Sequence, residues 1–303
     1  HWLSFKNVKY TAIEPVYAVV GSSTDIFTGE WDAATATDIL TQDGDAYTKT
    51  YTDQEIAKQT VEFKVIMKES AEATEALAWY PENNQSFSIP VNGKYNVTFT
   101  FDGTNVTGTA TKTAEAVTIG EKGWATTVTN SALDFSGISD FKAYTATLSN
   151  TTVTLDEVAN VQAETGLVLK GTAGTYYVPV TDNSSTDKGH LAGSSTTGFT
   201  IYSNYADSYY GLSADDSGNA KFALISKPEG DASVTIPAGK AFLIVQANTA
   251  ARTLRVVFAG ESTGIEAVAA ETAAEGVYNL NGQRVTAPVK GLYIVNGKKV
   301  VLK

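Results

Sequence analysis

The sequence predicts an all-β protein in which tandem antiparallel β-sandwich domains are followed by a small C-terminal β-hairpin module. Hydrophobic residues make up 43% of the chain and charged residues only 18%, while Thr, Val, Tyr and Phe recur in short alternating runs. β-Branched and aromatic residues at a period of two favour half-buried strands over helices. Near the C-terminus, residues 276–282 and 291–297 repeat one pattern, a strand that leads to Asn-Gly. Asn-Gly tolerates the positive φ of a type I′ hairpin turn.

The length predicts several domains. A chain of 303 residues exceeds the size at which one core usually keeps growing. We predict four segments: the closing strand of a truncated upstream domain (residues 1–14), an immunoglobulin-like β-sandwich (15–113), a second β-sandwich or barrel that serves as a spacer (114–260), and a linker with the hairpin module (261–303).

The first sandwich is predicted from strands and turns in succession. Apolar alternation indicates strands in three segments, residues 16–20, 60–67 and 95–101. Two dipeptides indicate hairpin turns, Asn92-Gly93 and Asp102-Gly103. Two short segments are helix candidates, residues 33–40 and 52–59.

The second domain is predicted from the same kind of pattern. Strands are expected in four segments, residues 167–170, 175–180, 241–245 and 254–258. Between them, residues 181–198 are rich in Asp, Asn, Ser, Thr and Gly, which is typical of a solvated loop. Residues 261–275 are Ala-rich but too short for a stable isolated helix, so we interpret them as a linker.

Charge and cysteine content exclude several classes of function. The formal net charge is −11 and the pI is about 4.7, whereas nucleic-acid-binding proteins normally carry a basic face. The absence of cysteine excludes a disulfide framework, a thiolate nucleophile and thiolate zinc sites. No apolar run approaches the roughly 18 to 20 residues that span a bilayer. We expect a monomer without cofactor, nucleic-acid partner or membrane span.

Catalytic and metal-binding residues are sparse. The only histidines are His1 and His190, and His190 lies in the polar loop, where a solvated role is expected. Paired carboxylates of the glycosidase kind remain an alternative, but 33 acidic residues make chance pairs inevitable. The segment 215–219 is oxygen-rich, yet it lacks the spacing of a helix-loop-helix calcium site and is interpreted as a hairpin turn. We therefore predict no catalytic residue and no metal ligand.

Two tryptophans in loop-like segments are the candidate ligand contacts. Trp31 follows Gly29 and Glu30, and Trp79 precedes Tyr80. Exposed indole planes pack against the C–H faces of sugar rings, while amides and amines beside them bind the hydroxyls. The alternative is that both tryptophans plug the ends of the sandwich core. The sequence leaves these two interpretations open.

Residues 15–113 resemble starch-binding β-sandwich modules, in particular family 26 carbohydrate-binding modules and those of outer-membrane starch-utilisation lipoproteins. The resemblance is carried by five short segments: residues 17–21, 28–32, 47–51, 62–66 and 78–79, followed by 93–101. It implies α-glucan binding on two aromatic platforms. Carried over by position, the platforms are Trp31 and Trp79, and the polar partners are Tyr80, Lys64 and Asn84.

The two ends of the chain resemble parts of secreted proteins. Residues 277–285, VYNLNGQRV, and 290–300, KGLYIVNGKKV, are similar to the C-terminal sorting domain of the type IX secretion system of Bacteroidetes. That resemblance implies an extracellular or outer-membrane surface location. Residues 1–12 resemble the closing strand of jelly-roll carbohydrate-binding modules, which implies an upstream domain of the same polypeptide.

From these observations we expect a non-catalytic carbohydrate-binding region of an extracellular glycan-acting protein, with polysaccharide or oligosaccharide, most of all α-glucan, as partner. The alternative is a structural or adhesive stalk that binds no sugar. A third hypothesis, a hydrolase in its own right, requires two carboxylates that face each other across a cleft.

Overall fold

A computed structural model of the chain describes residues 14–183, 185, 187–215, 217–230, 232–246, 251–260, 277–278, 284–285, 290–295 and 298–302. The regular secondary structure within these ranges is β-strand alone, arranged in antiparallel sheets. The predicted all-β class is confirmed. The chain divides into two compact units, of which the first ends at Val256 and the second begins at Val257.

The first unit begins with seven strands in the described residues: β1 (Val16–Gly21), β2 (Thr41–Asp43), β3 (Ala46–Ile56), β4 (Gln59–Lys68), β5 (Ala78–Ile89), β6 (Gly93–Phe101) and β7 (Val106–Ile119). Fourteen further strands follow, the last of which extends two residues past Val256: β8 (Trp124–Val128), β9 (Leu133–Asp134), β10 (Phe141–Ser149), β11 (Thr152–Glu157), β12 (Asn160–Val161), β13 (Gly166–Gly171), β14 (Gly174–Pro179), β15 (Leu191–Ala192), β16 (Phe199–Tyr202), β17 (Ser208–Ala214), β18 (Ala220–Leu224), β19 (Ser233–Ile236), β20 (Phe242–Val245) and β21 (Thr253–Phe258).

Two sheets enclose an aromatic core in the N-terminal part. One sheet has the order β1-β4-β5 and the other β14-β7-β6-β3-β2. Phe99 lies at the centre of the core, with its ring centroid 5.5 Å from that of Phe27 and 4.9 Å from that of Phe63. Gly108 on β7 leaves room for Phe63, because a Cβ atom there would lie 2.7 Å from the phenyl ring. The alternation of apolar residues therefore builds this core, as predicted.

The strand β7 runs across residues 113 and 114, where the sequence predicts a domain boundary. Its first part pairs with β6, and the part from Ala114 to Ile119 pairs with β14. A buried polar cluster stands beside this passage. The Glu115 carboxylate, in a side chain 4% exposed overall, accepts hydrogen bonds from the backbone N–H groups of Asn130 (2.8 Å) and Ser131 (3.1 Å), and from Lys112 Nζ (3.2 Å). A continuous strand and a hydrogen-bonded ion pair thus connect the two predicted domains.

The second part of the unit is built on a nine-stranded sheet. Its order is β15-β20-β17-β18-β21-β11-β10-β13-β8. A separate core of Val117, Leu133, Phe141, Leu167 and Val178 packs beneath β13 and β14. The edge strand β8 lies close to β17, so the sheet curls back on itself. A groove remains between these two strands.

Neither helix candidate forms a helix. In residues 33–40 a single turn follows Asp32, whose backbone C=O accepts a hydrogen bond from Ala36 N (3.0 Å) and whose side chain binds Ala34 N (2.9 Å). Residues 52–56 belong to β3, and residues 54–56 pair with β6. Local hydrogen bonding of Asp and strand pairing outweigh the weak helical propensity of these segments.

One of the two predicted hairpin turns is wrong. Asp102-Gly103 connects the paired strands β6 and β7, with Asp102 Oδ1 accepting from Thr104 N and Asn105 N. Asn92-Gly93 instead connects β5 to β6, which belong to different sheets. The Asn92 side chain accepts a hydrogen bond from Lys58 N (2.8 Å), a contact between segments that local sequence does not reveal.

The second unit holds one four-stranded antiparallel sheet. Its strands are β22 (Val277–Tyr278), β23 (Arg284–Val285), β24 (Gly291–Val295) and β25 (Lys298–Leu302), in the order β23-β22-β24-β25. The pairs β22–β23 and β24–β25 are the two predicted hairpins, although both Asn-Gly turns lie outside the described residues. The predicted closing strand in residues 1–13 and the linker in 261–275 also lie outside them.

Candidate functional site

The outer face of the sheet β1-β4-β5 brings together most of the predicted binding residues. Side chains of β4 alternate, so Val61, Phe63 and Val65 are buried in the aromatic core. The residues between them, Glu62 and Lys64, project to the opposite side. This side of the sheet faces away from the core.

Trp79 lies on the same outer face. Its partner in the β4–β5 register is Ile66, and directly opposed residues of an antiparallel pair project to one side. Trp79 is 42% exposed, and Leu77, two residues earlier, is 59% exposed. Exposed apolar side chains that lie together are typical of interaction surfaces. We call the surface formed by Glu62, Lys64, Leu77, Trp79 and Asn84 the Trp79 face.

An irregularity in β5 supplies the polar part of this face. On β4, only Lys64 lies between Phe63 and Val65. Their partners on β5, Gln85 and Tyr80, are separated by residues 81–84. Lys64 Nζ donates to Glu82 O at 2.6 Å. An ammonium group has three donors, so two N–H bonds of Lys64 remain for a ligand.

Asn84 and Glu62 form the second polar contact of the Trp79 face. Asn84 Nδ2 donates to Glu62 Oε2 at 3.2 Å. This bond orients the Asn84 amide, and its carbonyl oxygen remains an acceptor for a ligand hydroxyl. Both residues are exposed at the surface. The sheet face that carries the exposed indole therefore also carries an amine, an amide and a carboxylate.

Trp31 occupies a different position from Trp79. It lies in the turn after β1 and packs, half-buried, against a small cluster that includes Ala18, Ala36 and Ile66. The turn is tight, because a Cβ atom on Gly29 would lie 2.6 Å from Ala36 N. Ile66 thus connects the two tryptophans: it packs in the cluster beneath Trp31 and pairs with Trp79. Trp31 is thus half-buried over the outer face, whereas Trp79 is exposed on it.

Tyr80 points to the inner side of the sheet. It pairs with Val65, and its ring centroid lies 5.3 Å from that of Phe101 in the aromatic core. Burial raises the pKa of neighbouring Tyr17, and the charges of Tyr47 and Tyr80 raise it further. The phenol of Tyr80 therefore belongs to the core, and the Trp79 face does not include it.

The residues considered for catalysis and metal binding have structural partners. His190 Nδ1 accepts a hydrogen bond from Leu148 N at 2.9 Å. Asp215 Oδ1 accepts from Ser217 N and Asn219 N, both at 2.9 Å, which gives the predicted hairpin turn. These hydrogen bonds lower the pKa of Asp215, with the contacts to Asn219 the largest cause. The described residues contain no group of three or more His, Asp or Glu side chains arranged to hold a metal.

Sequence reasoning missed two members of the Trp79 face, Glu62 and Leu77. For Glu62 the signal was the alternation of apolar residues along β4, which places Glu62 on the same face as Lys64. Leu77 carried no comparable signal. It precedes β5, and its backbone N–H donates to Met67 O at 2.7 Å, a contact that the local sequence does not reveal.

No protein-family model matches the chain, and no curated protein matches it. In the described part of the chain, no helix is long and apolar enough to cross a bilayer.

Proposed function

We propose that this chain is a non-catalytic, glycan-binding accessory region of an extracellular glycan-acting protein, and that the Trp79 face binds α-glucan. The observation that carries the proposal is the exposed indole of Trp79 on a sheet face that also carries Lys64 and Asn84. A strand holds the indole more firmly than a loop, so little conformational entropy is lost on binding.

The chemistry of a pyranose ring fits this surface. Its C–H groups form an apolar face that packs on an indole, and its hydroxyl groups need donors and acceptors at the rim. Lys64 supplies donors, and the amide of Asn84 supplies an acceptor. One such contact is expected to be weak, with a dissociation constant of about 1 mM. Attachment to a larger glycan-acting protein would raise residence on the substrate through effective concentration.

The choice of α-glucan rests on the resemblance of residues 15–113 to starch-binding modules. The extracellular or outer-membrane location rests on the resemblance of residues 264–303 to type IX sorting domains. A Bacteroidetes host with that secretion system tests the location: the full chain should reach the medium or the cell surface, and a chain that ends at residue 260 should stay inside the cell. Equal export of both would contradict it.

Calorimetric titration with maltoheptaose tests the binding. The wild-type chain should bind, and Trp79→Ala should weaken binding by about tenfold or more, because an aromatic anchor at the centre of a contact carries a large share of the free energy. Tyr202→Ala is the matched control, since Tyr202 is a similarly exposed aromatic (46%) in another sheet. Absence of heat with the wild-type chain, or equal losses in both variants, would contradict the proposal.

The alternative function, a structural or adhesive stalk, is favoured by a separate observation. The buried Lys112–Glu115 pair and the continuous strand β7 connect the two predicted domains without a flexible linker. Such a connection suits a rigid spacer. A stalk predicts that tryptophan fluorescence does not respond to any glycan, whereas the glycan-binding function predicts a response that Trp79→Ala abolishes.

A further inference from the structure

We propose that the groove beside β8 is a second binding site, independent of the Trp79 face, and that it takes an acidic oligosaccharide. The groove consists of two adjoining cavities of about 670 Å³ and 340 Å³. Both are lined by Thr118, Thr126 and Lys240, so the pair forms one continuous depression, which we call the Thr118 groove. Its volume suits a short saccharide chain.

The indole of Trp124 closes one side of the Thr118 groove, and two contacts hold it in place. Trp124 lines the larger cavity, and its Nε1 donates to Gly218 O at 3.0 Å across the groove. Lys170 Nζ lies 5.1 Å from the centroid of the Trp124 ring. The indole is thus fixed before any ligand arrives, which reduces the entropic cost of binding.

The remaining lining is polar and hydroxyl-rich. Thr118, Thr126 and Ser213 contribute to the larger cavity, and Asn92 to the smaller one. The Ser195 hydroxyl, which also lines the smaller cavity, already donates to Glu164 and accepts from Asn130. Hydroxyl and amide groups both donate and accept hydrogen bonds, which matches the mixed donors and acceptors of a sugar.

Charge indicates that the sugar is acidic. Lys122 and Lys240 line the larger cavity, and Lys58 and Lys240 line the smaller one. Among the described residues, none of these three amines has a carboxylate within ion-pair distance. Of the acidic lining residues, Glu115 is already paired with Lys112, while Glu121 is exposed at the rim. In a chain of net charge −11, a groove with unpaired amines is a local basic site that suits a carboxylate.

Calorimetric titration of the full chain with an α-1,4-linked galacturonate trimer tests this proposal. Maltotriose is the neutral comparison of equal length and linkage position. The trimer should bind, maltotriose should not displace it, and the double variant Lys122→Met/Lys240→Met should weaken its binding about tenfold, as expected for the loss of two partly exposed charge contacts.

A matched control separates the groove from general charge. Lys142→Met removes a surface lysine of the same region that is already paired with Glu157 at 2.8 Å, and it should leave trimer binding within about twofold of wild type. Thermal unfolding confirms that each variant is folded. No binding of the trimer, an unaffected double variant, an equal loss in Lys142→Met, or displacement by maltotriose would each overturn the proposal.

Binding of the galacturonate trimer is expected to be independent of the α-glucan site proposed on the Trp79 face. Trp79→Ala should bind the galacturonate trimer as the wild type does, even though it loses maltoheptaose. If Trp79→Ala abolishes trimer binding, the acidic sugar occupies the Trp79 face and the Thr118 groove is not its site. If maltoheptaose binding fails while trimer binding follows Lys122 and Lys240, the groove stands without the Trp79 face.

Discussion

The inner and outer faces of the sheet β1-β4-β5 use the same strands for opposite purposes. On β4, Phe63 packs among the aromatic rings of the core, whereas Lys64, the next residue, projects outward. On β5, Tyr80 contacts Phe101 inside, whereas Trp79 is exposed outside. Adjacent residues of similar chemistry, Trp79 and Tyr80, thus differ in role because the period of a strand is two. The face on which an aromatic residue lies decides whether it stabilises the fold or is available to a ligand.

The largest effect of a substitution is expected on the inner face. Phe63→Ala removes a fully buried ring that contacts Phe99, and it should lower the free energy of unfolding by about 3 to 5 kcal/mol. Urea unfolding followed by circular dichroism measures this change. A loss below about 1 kcal/mol would show that the core tolerates the cavity and that the inner face is not the main source of stability.

An intermediate effect is expected for Trp31→Ala on the outer face. Trp31 is half-buried over a small apolar cluster, so its removal should cost about 2 kcal/mol, less than for a fully buried ring. The same urea experiment measures it. Maltoheptaose binding should fall less than in Trp79→Ala. A Trp31→Ala variant of wild-type stability that no longer binds the sugar would instead make Trp31 a ligand platform.

A smaller and pH-dependent effect is expected in the opposite sheet. Asp53 lies on β3 with a φ of 53°. Its carboxyl has a pKa below the ordinary 3.8, mainly because of the hydrogen bond from Thr113 and, second, because of the hydrogen bond from Lys94. A lowered pKa in the folded state stabilises the fold above pH 3.8, and this contribution is lost as the pH falls through the folded-state pKa.

Asp53→Asn isolates this charge, because Asn also tolerates positive φ. The melting temperature of the variant should depend less on pH between about 5 and 3 than that of the wild type. Parallel melting curves at several pH values measure the difference. Identical pH profiles for the two proteins would mean that Asp53 does not contribute through its charge.

The sequence was sufficient for what depends on local alternation and turn chemistry. The strands around Phe63 and Phe99, the Asp102-Gly103 hairpin and the all-β class follow from such patterns. Whether Asn92-Gly93 forms a hairpin depends on whether β5 and β6 belong to the same sheet. Sheet membership is set by contacts between residues far apart in the chain. A turn dipeptide alone does not distinguish a hairpin from a crossing between sheets.

The sequence predicted most residues of the candidate site, but not the side of the sheet to which each side chain points. The sequence predicted loops around both Trp31 and Trp79, and this is wrong for Trp79, which lies exposed on β5 opposite Ile66. Tyr80 was expected to be a polar partner from the resemblance to starch-binding modules, yet strand alternation places its ring against the core. The Thr118 groove had no sequence signal, because its walls come from strands far apart in the chain.

The most direct test of the Trp79 face is a titration of isotope-labelled protein with maltoheptaose, observed through the indole N–H signals. The chain has four tryptophans, so Trp→Phe variants assign each signal. The proposed function predicts that the Trp79 signal shifts in a saturable manner, that Trp31 shifts less, and that Trp124 stays fixed. A Trp79 signal that stays unchanged at saturating sugar would contradict α-glucan binding at this face.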